Sequence, residues 1–227
     1  MSQDTKPTIL CLHGHGSSAE IFQTQSQKVT QALSPHFRFL FLDSPITTSQ
    51  PGVGVRPHYA HIKPYRRWNQ DEKVIGLFGV TEEDVRQERQ LVRDTLKDVL
   101  ERERRDGANA GVVGLMAFSQ GTRIATAICQ DTELGKDIKF AIIICGVSPP
   151  LSLSTPEMLL PPPLNIASVH VQGSTDPWLT NGTKLSKHYF DQSLAKTVKF
   201  TGGHEVPVKT FDVENICEVI AEYKGST

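Results

Sequence analysis

The chain is best read outward from Gly111-Val112-Val113-Gly114-Leu115-Met116-Ala117-Phe118-Ser119-Gln120-Gly121. Residues 111–118 are apolar or glycine throughout, a run of strand length with no polar face, as expected for a strand covered on both sides. A segment of helical period follows at 120–130. The junction Ala117-Phe118-Ser119-Gln120-Gly121 is the strand-to-helix pattern G-x-S-x-G with Ala in the first position. Such a turn is sharp, so it needs small residues two before and two after the serine. It projects the Ser119 hydroxyl and sets the amide of Gln120 at a helix N-terminus, where it can stabilise an oxyanion. Taken alone, the same five residues also fit a serine that merely caps a helix.

The pattern repeats on either side. Strand-length apolar runs are predicted at 8–12, 37–42, 140–146, 167–172 and 197–200, and helices at 19–33, 82–105, 183–190 and 208–223. Alternation of this kind predicts an α/β fold with a mostly parallel central sheet and helices on both faces. In the 82–105 segment, Val85, Val92, Leu96, Val99 and Leu100 recur at turn spacing, while Glu, Asp and Arg fill the other face, which reads as solvated. Thr81 precedes Glu82, Glu83 and Asp84 as an N-cap with acidic first-turn residues.

Two further strand ends carry chemistry. Val169-His170-Val171-Gln172-Gly173-Ser174-Thr175-Asp176-Pro177 breaks at glycine and leaves Asp176 just past the strand, at the sheet edge where open parallel sheets hold their sites. Phe200-Thr201-Gly202-Gly203-His204-Glu205-Val206-Pro207 places His204 on a tight loop at the same edge. Asp176 could orient a histidine, or be a turn aspartate before proline. The order Ser119, Asp176, His204 is that of α/β-hydrolases and of neither main serine-protease class. Before them, His13-Gly14-His15-Gly16-Ser17-Ser18 follows the first strand. It lacks G-x-G-x-x-G and a third metal ligand at a telling spacing. The favoured role is an oxyanion-hole loop that offers the amide of His15 beside that of Gln120, with no metal and no cofactor.

Composition narrows the class. The 227 residues, expected to form a single domain over 1–227, are 38% hydrophobic and 22% charged, ordinary for a globular protein. Formal net charge is −1, which gives no global field to attract nucleic acid. The longest apolar runs, such as 140–145, fall far short of the ~18 residues of a membrane span. The N-terminus lacks a basic start followed by an apolar run, and the C-terminus has no familiar retention address, so a cytoplasmic location is expected. Four scattered cysteines without C-x-x-C spacing read as buried thiols. Two stretches interrupt the alternation, 44–70 and 148–164, and long loops that carry aromatic and apolar residues are usually ordered and functional.

With these residues in place, the chain resembles the fungal serine hydrolase family of the α/β-hydrolase superfamily. The matching segments are Leu12-His13-Gly14 with Ala19-Glu20-Ile21-Phe22, Phe39-Leu40-Phe41-Leu42-Asp43-Ser44-Pro45, Pro64-Tyr65-Arg66-Arg67-Trp68, Phe118-Ser119-Gln120-Gly121, Gly173-Ser174-Thr175-Asp176 and Gly202-Gly203-His204-Glu205-Val206-Pro207. The resemblance implies the α/β-hydrolase fold without a large lid domain, esterase or thioesterase activity, no metal, and a triad of Ser119, Asp176 and His204. Gly52-Val53-Gly54-Val55-Arg56-Pro57, with the cluster at 65–68, is similar to the branch that releases polyketide acyl chains in fungal secondary metabolism. That branch implies an acyl carrier domain of a polyketide synthase as partner. The family usually has Gly where this chain has Ala117, and the added methyl group would tighten the elbow.

The expected substrate is a small-molecule ester or acyl thioester held between the two long loops, with Phe22, Tyr65, Trp68, Met158, Leu159 and Trp178 as candidates to line an apolar pocket; core packing is the competing role for each. Arg66 and Arg67 are candidates for a carboxylate or pantetheine phosphate, against local salt bridges. The same triad also serves acyl transfer, cyclisation and carbon–carbon cleavage. A ligand-binding relative on the same scaffold is the non-enzyme alternative.

Overall fold

The structure is a computed structural model and describes residues 6–70, 75, 79–105 and 111–221. Its centre is a six-stranded parallel sheet in the order β2-β1-β5-β6-β7-β8. The strands are β1 (Thr8–Leu12), β2 (Arg38–Leu42), β5 (Val112–Phe118), β6 (Phe140–Ile144), β7 (Ala167–Gly173) and β8 (Ala195–Phe200). A separate antiparallel hairpin, β3 (Ile46–Thr48) and β4 (Tyr65–Arg67), rises from the first long loop.

Every residue of β1, β5, β6 and β7 is buried, which is why β5 and β6 read as unbroken runs of apolar residues and glycine. Side chains alternate across the sheet. Leu10 and Leu12 of β1 join one cluster with α3 (Glu82–Arg105), α4 (Gln120–Gln130) and α5 (Leu179–Tyr189). Ile9 and Cys11 join the other, with α1 (Ala19–Gln25), α2 (Gln27–Leu33) and α6 (Thr210–Ala221). Helices therefore cover both faces, as the alternation predicts. No helix among the described residues is long and apolar enough to cross a membrane.

Several boundaries differ from the sequence expectation. The helix expected over 19–33 is two helices, because Ser26 leaves helical geometry and turns both its N–H and its hydroxyl onto the Phe22 carbonyl. α5 begins four residues early, at Leu179, since the Asp176 carboxylate accepts the Trp178 N–H at 2.8 Å and starts the turn. The C-terminal helix begins at Thr210; its expected end at Tyr223 lies outside the described residues.

The charged face of α3 is not simply solvated. Arg93 and Glu103 are buried. Arg93 pairs with Asp131 and Glu133, and Glu103 pairs with Arg38 and accepts from the Thr8 hydroxyl. The N-terminus of α3 is closed reciprocally, with Thr81 N–H donating to Asp84 Oδ2 at 2.8 Å and Asp84 N–H to Thr81 Oγ1 at 3.1 Å.

Candidate active site

Ser119 is the joint between β5 and α4, with φ 52° and ψ −121°, left-handed backbone that L-residues rarely adopt. Its amide is anchored to the Ile144 carbonyl at 3.1 Å. The turn closes tightly because Gly121 lies against β1, where an added Cβ would stand 2.3 Å from the Leu12 carbonyl oxygen. Ala117 is fully buried in the strand, in register with Leu12 and Ile143, so its methyl group belongs to the core and the elbow forms above it.

The ends of β7 and β8 bring the other two residues to Ser119. His204 Nε2 lies 2.8 Å from Ser119 Oγ, and Nδ1 lies 3.0 Å from Asp176 Oδ2. The imidazole is boxed by Phe118, with ring centroids 5.1 Å apart, and by Trp178 at 4.5 Å. The side chains of Asp176 and His204 are 3% and 5% exposed, so their hydrogen bond is shielded from competing water. Behind them the Cys145 thiol donates to the carbonyls of Glu205 at 3.4 Å and Gly203 at 3.8 Å, the two neighbours of His204. Burial, reinforced by the Asp176 charge, pushes this thiol up to about 12, so it stays protonated and able to donate.

The loop after β1 passes directly over the nucleophile. A Cβ on Gly14 would meet Ser119 Cβ at 3.2 Å, and Gly16 takes φ 62°. Three backbone bonds fix this loop to the hairpin: Gly16 N–H to Arg66 O at 2.8 Å, Arg66 N–H to Ser17 O at 2.7 Å and Gly52 N–H to Gly16 O at 2.9 Å. His13 sits beneath, fully buried. Its Nδ1 meets the Gly14 carbonyl at 2.7 Å and its Nε2 accepts the Ser44 N–H at 3.1 Å. Both nitrogens are engaged, so His13 has no lone pair to offer a metal. Burial lowers its pKa to about 4, keeping it neutral.

Of the residues expected to line a substrate pocket, Trp178 stands at a cavity beside Ser119. A cavity of about 280 Å³ opens beside Ser119 and His204, walled by Gly14, Ser17, Gln25, Val53, Val55, Phe118, Val147 and Trp178. Phe22 is instead core, fully buried between Phe41 and Phe118. Tyr65 packs with Ile21 and Val55 behind the cavity wall. Trp68 is fully buried; its indole N–H donates to the His13 carbonyl at 2.8 Å and its backbone N–H to Gln120 Oε1 at 2.7 Å. It ties the start of the loop after β1, at His13, to the Gln120 side chain without touching the cavity. Met158 and Leu159 belong to the far end of α4, where Met158 O accepts from Thr132 and Leu159 bridges to Asp131. One helix of eleven residues, about 16 Å, separates them from Ser119.

The arginine pair is consumed locally. Arg66 pairs with Asp43 and donates to the Ser44 carbonyl, while Arg67 forms a two-pronged pair with Glu88. Ser17, Gln25, Val53, Val55, Arg123 and Val147 also stand at the cavity, none of them expected there from sequence. Ser17, beside the His-Gly loop, and Val53 and Val55, in the 52–57 segment, carried a signal; Gln25, Arg123 and Val147 did not. A wider groove of about 1110 Å³ shares Arg123, Val147 and Trp178 with this cavity and extends between Arg67, Arg89 and the prolines at 149 and 150.

The chain is similar to known proteins along nearly its whole length. The thioesterase FSL2 of Gibberella zeae is 43% identical over 227 residues, covering 94% of this chain and 91% of that protein. The esterase FUS5 of Gibberella fujikuroi is 33% identical, covering 95% and 86%. Among solved structures, the Bacillus cereus carboxylesterase superposes with TM-score 0.59 at 16% identity over 97% of this chain and 90% of that one. TT1662 from Thermus thermophilus gives 0.59 at 14% over 100% and 92%. At such identities these two report the fold, a parallel sheet sandwiched by helices. The family model described as serine hydrolase (FSH1) matches residues 1–216, the span that carries the elbow, the aspartate and the histidine, and the chain belongs to that family.

Proposed function

We propose that the chain cleaves an ester or thioester through an acyl-enzyme intermediate. The observation that carries this is the His204 ring, bonded at one nitrogen to Ser119 Oγ and at the other to Asp176. Ser119 Oγ attacks the carbonyl carbon as His204 Nε2 takes its proton, and Asp176 steadies the imidazolium. The amides of His15 and Gln120 receive the oxyanion, each donor being worth about 100- to 1000-fold in kcat. His204 then protonates the departing alkoxide or thiolate. A water, deprotonated by the same nitrogen, releases the acid and restores Ser119.

The acyl group occupies the 280 Å³ cavity, and the leaving group lies along the wider groove. Relatives named esterase and thioesterase support a small-molecule ester or acyl thioester as substrate. Release of a polyketide-like chain from an acyl carrier domain, in fungal secondary metabolism, is the specific form of this reading. Reduced thiols at Cys11, Cys129, Cys145 and Cys217 fit a reducing, cytoplasmic setting.

A fluorophosphonate probe tests the assignment. Wild type is expected to label and to hydrolyse p-nitrophenyl esters, and Ser119→Ala to do neither. Persistent labelling of Ser119→Ala would remove Ser119 from the role.

A further inference from the structure

The cavity beside Ser119 is not uniformly apolar. Among the described residues, Ser17 Oγ and Gln25 Oε1 are buried atoms without a hydrogen-bond partner, and both residues belong to its wall. Ser17 is 3% exposed. His170 Nδ1 is the other neutral side-chain atom in this condition, and it lies elsewhere, packed on Phe190. Buried polar atoms are nearly always paired, because an unpaired one forfeits its hydration with no return. Two in the wall of one small cavity that touches the nucleophile call for a partner brought by the ligand.

Their placement describes that partner. Ser17 precedes α1 and Gln25 ends it, so at 1.5 Å per residue they mark the two ends of a wall about 10 Å long. Ser17 is on the loop that crosses Ser119, three residues past Gly14, and Gln25 is one helix further along the wall. A serine hydroxyl both donates and accepts, and a glutamine amide carries one acceptor and two donors. Rotation about one or two side-chain bonds turns either group to a ligand in the cavity.

We infer that Ser17 and Gln25 are specificity-determining residues that pair with hydroxyl groups on the acyl chain, Ser17 near the carbonyl and Gln25 further out. The inference rests on the proposed acyl-enzyme reaction and narrows its substrate to hydroxylated acyl groups. A plain alkyl chain in this cavity leaves both polar atoms without partners. A hydroxylated chain satisfies them, and sites built in this way discriminate against the analogue that lacks the hydroxyl.

The test uses N-acetylcysteamine thioesters of octanoate and of hydroxyoctanoates with the hydroxyl walked along the chain. Wild type is expected to favour at least one hydroxylated chain over octanoate by about tenfold or more in kcat/KM. Ser17→Ala should collapse the preference for hydroxyls near the thioester, and Gln25→Met that for distal ones. Each should gain on octanoate while it loses on the matching hydroxylated chain. This crossing of rates is what a merely structural defect, which lowers both together, would not produce.

A wild-type ratio at or below one for every hydroxyl position overturns the inference without recourse to variants. If wild type hydrolyses all the thioesters with such ratios, the catalytic proposal stands and the inference alone falls. If Ser119 neither labels nor turns over any thioester, both fall together. Variants that keep the full preference also overturn it.

Discussion

Ser119 holds a backbone conformation that costs on the order of 1–3 kcal/mol for a residue other than glycine, and its neighbours retain it. Ile144 accepts its amide, Thr122 donates to its carbonyl, and Gly121 allows α4 to press against β1. Trp68 is the less expected support. It was expected to line the pocket for its aromatic surface, but its two N–H groups hold His13 and Gln120 at a fixed spacing. Trp68→Phe keeps most of the buried surface and deletes only the indole donor to the His13 carbonyl. It should cost about 1–3 kcal/mol of stability, measurable by urea unfolding. With the oxyanion loop less well held, kcat should fall by roughly tenfold while KM changes little, a split read by steady-state kinetics.

At the scale of elements, the β3–β4 hairpin acts as a splint for the loop that supplies the His15 amide. Gly52, just past β3, lies so close to this loop that an added Cβ would stand 1.9 Å from the His15 carbonyl oxygen. Gly52→Ala should therefore move His15 and lower kcat by about 100-fold, with labelling by fluorophosphonate slowed in proportion and a cooperative thermal transition retained. Labelling at the wild-type rate would show that the hairpin does not set this geometry. The sheet strands, α3, α4 and the three loops with Ser119, Asp176 and His204 were legible in the sequence because each loop follows a short apolar run and stops at glycine or at a helix start. The hairpin was not. Tyr65-Arg66-Arg67 has no apolar alternation, and its arginines are made compatible with partial burial by Asp43 and Glu88, which are about twenty residues away in the chain. Aromatic residues also gave no sign of which would line the cavity, because Phe22, Tyr65 and Trp178 differ only in what distant segments lay against them.

For the whole molecule, two buried neutral histidines set its response to acid. Burial lowers the pKa of both His13 and His170 from 6.5 to about 4. Between those values the unfolded chain binds protons that the folded one refuses. Stability is therefore full above about pH 6.5 and falls as pH drops toward 4, by up to about 3 kcal/mol for each group. The melting temperature should be flat from pH 7 to 8 and decline steeply from 6.5 to 4, and His170→Gln, which removes one titrating group, should make the decline shallower. An equally steep decline in that variant would acquit His170. The order of the sheet has a consequence for the nascent chain. β1 is made first, yet it sits between β2 and β5, with Thr8 in register with both Arg38 and Val112. Roughly a hundred further residues must be translated before the first strand has both neighbours, about 5–20 s at ordinary elongation rates. Ser119 leaves the ribosome well before Asp176 and His204. The hydroxyl is thus without its base while the 85 residues from Ser119 to His204 are made, and a polypeptide that stops short of His204 would carry the nucleophile without the group that activates it.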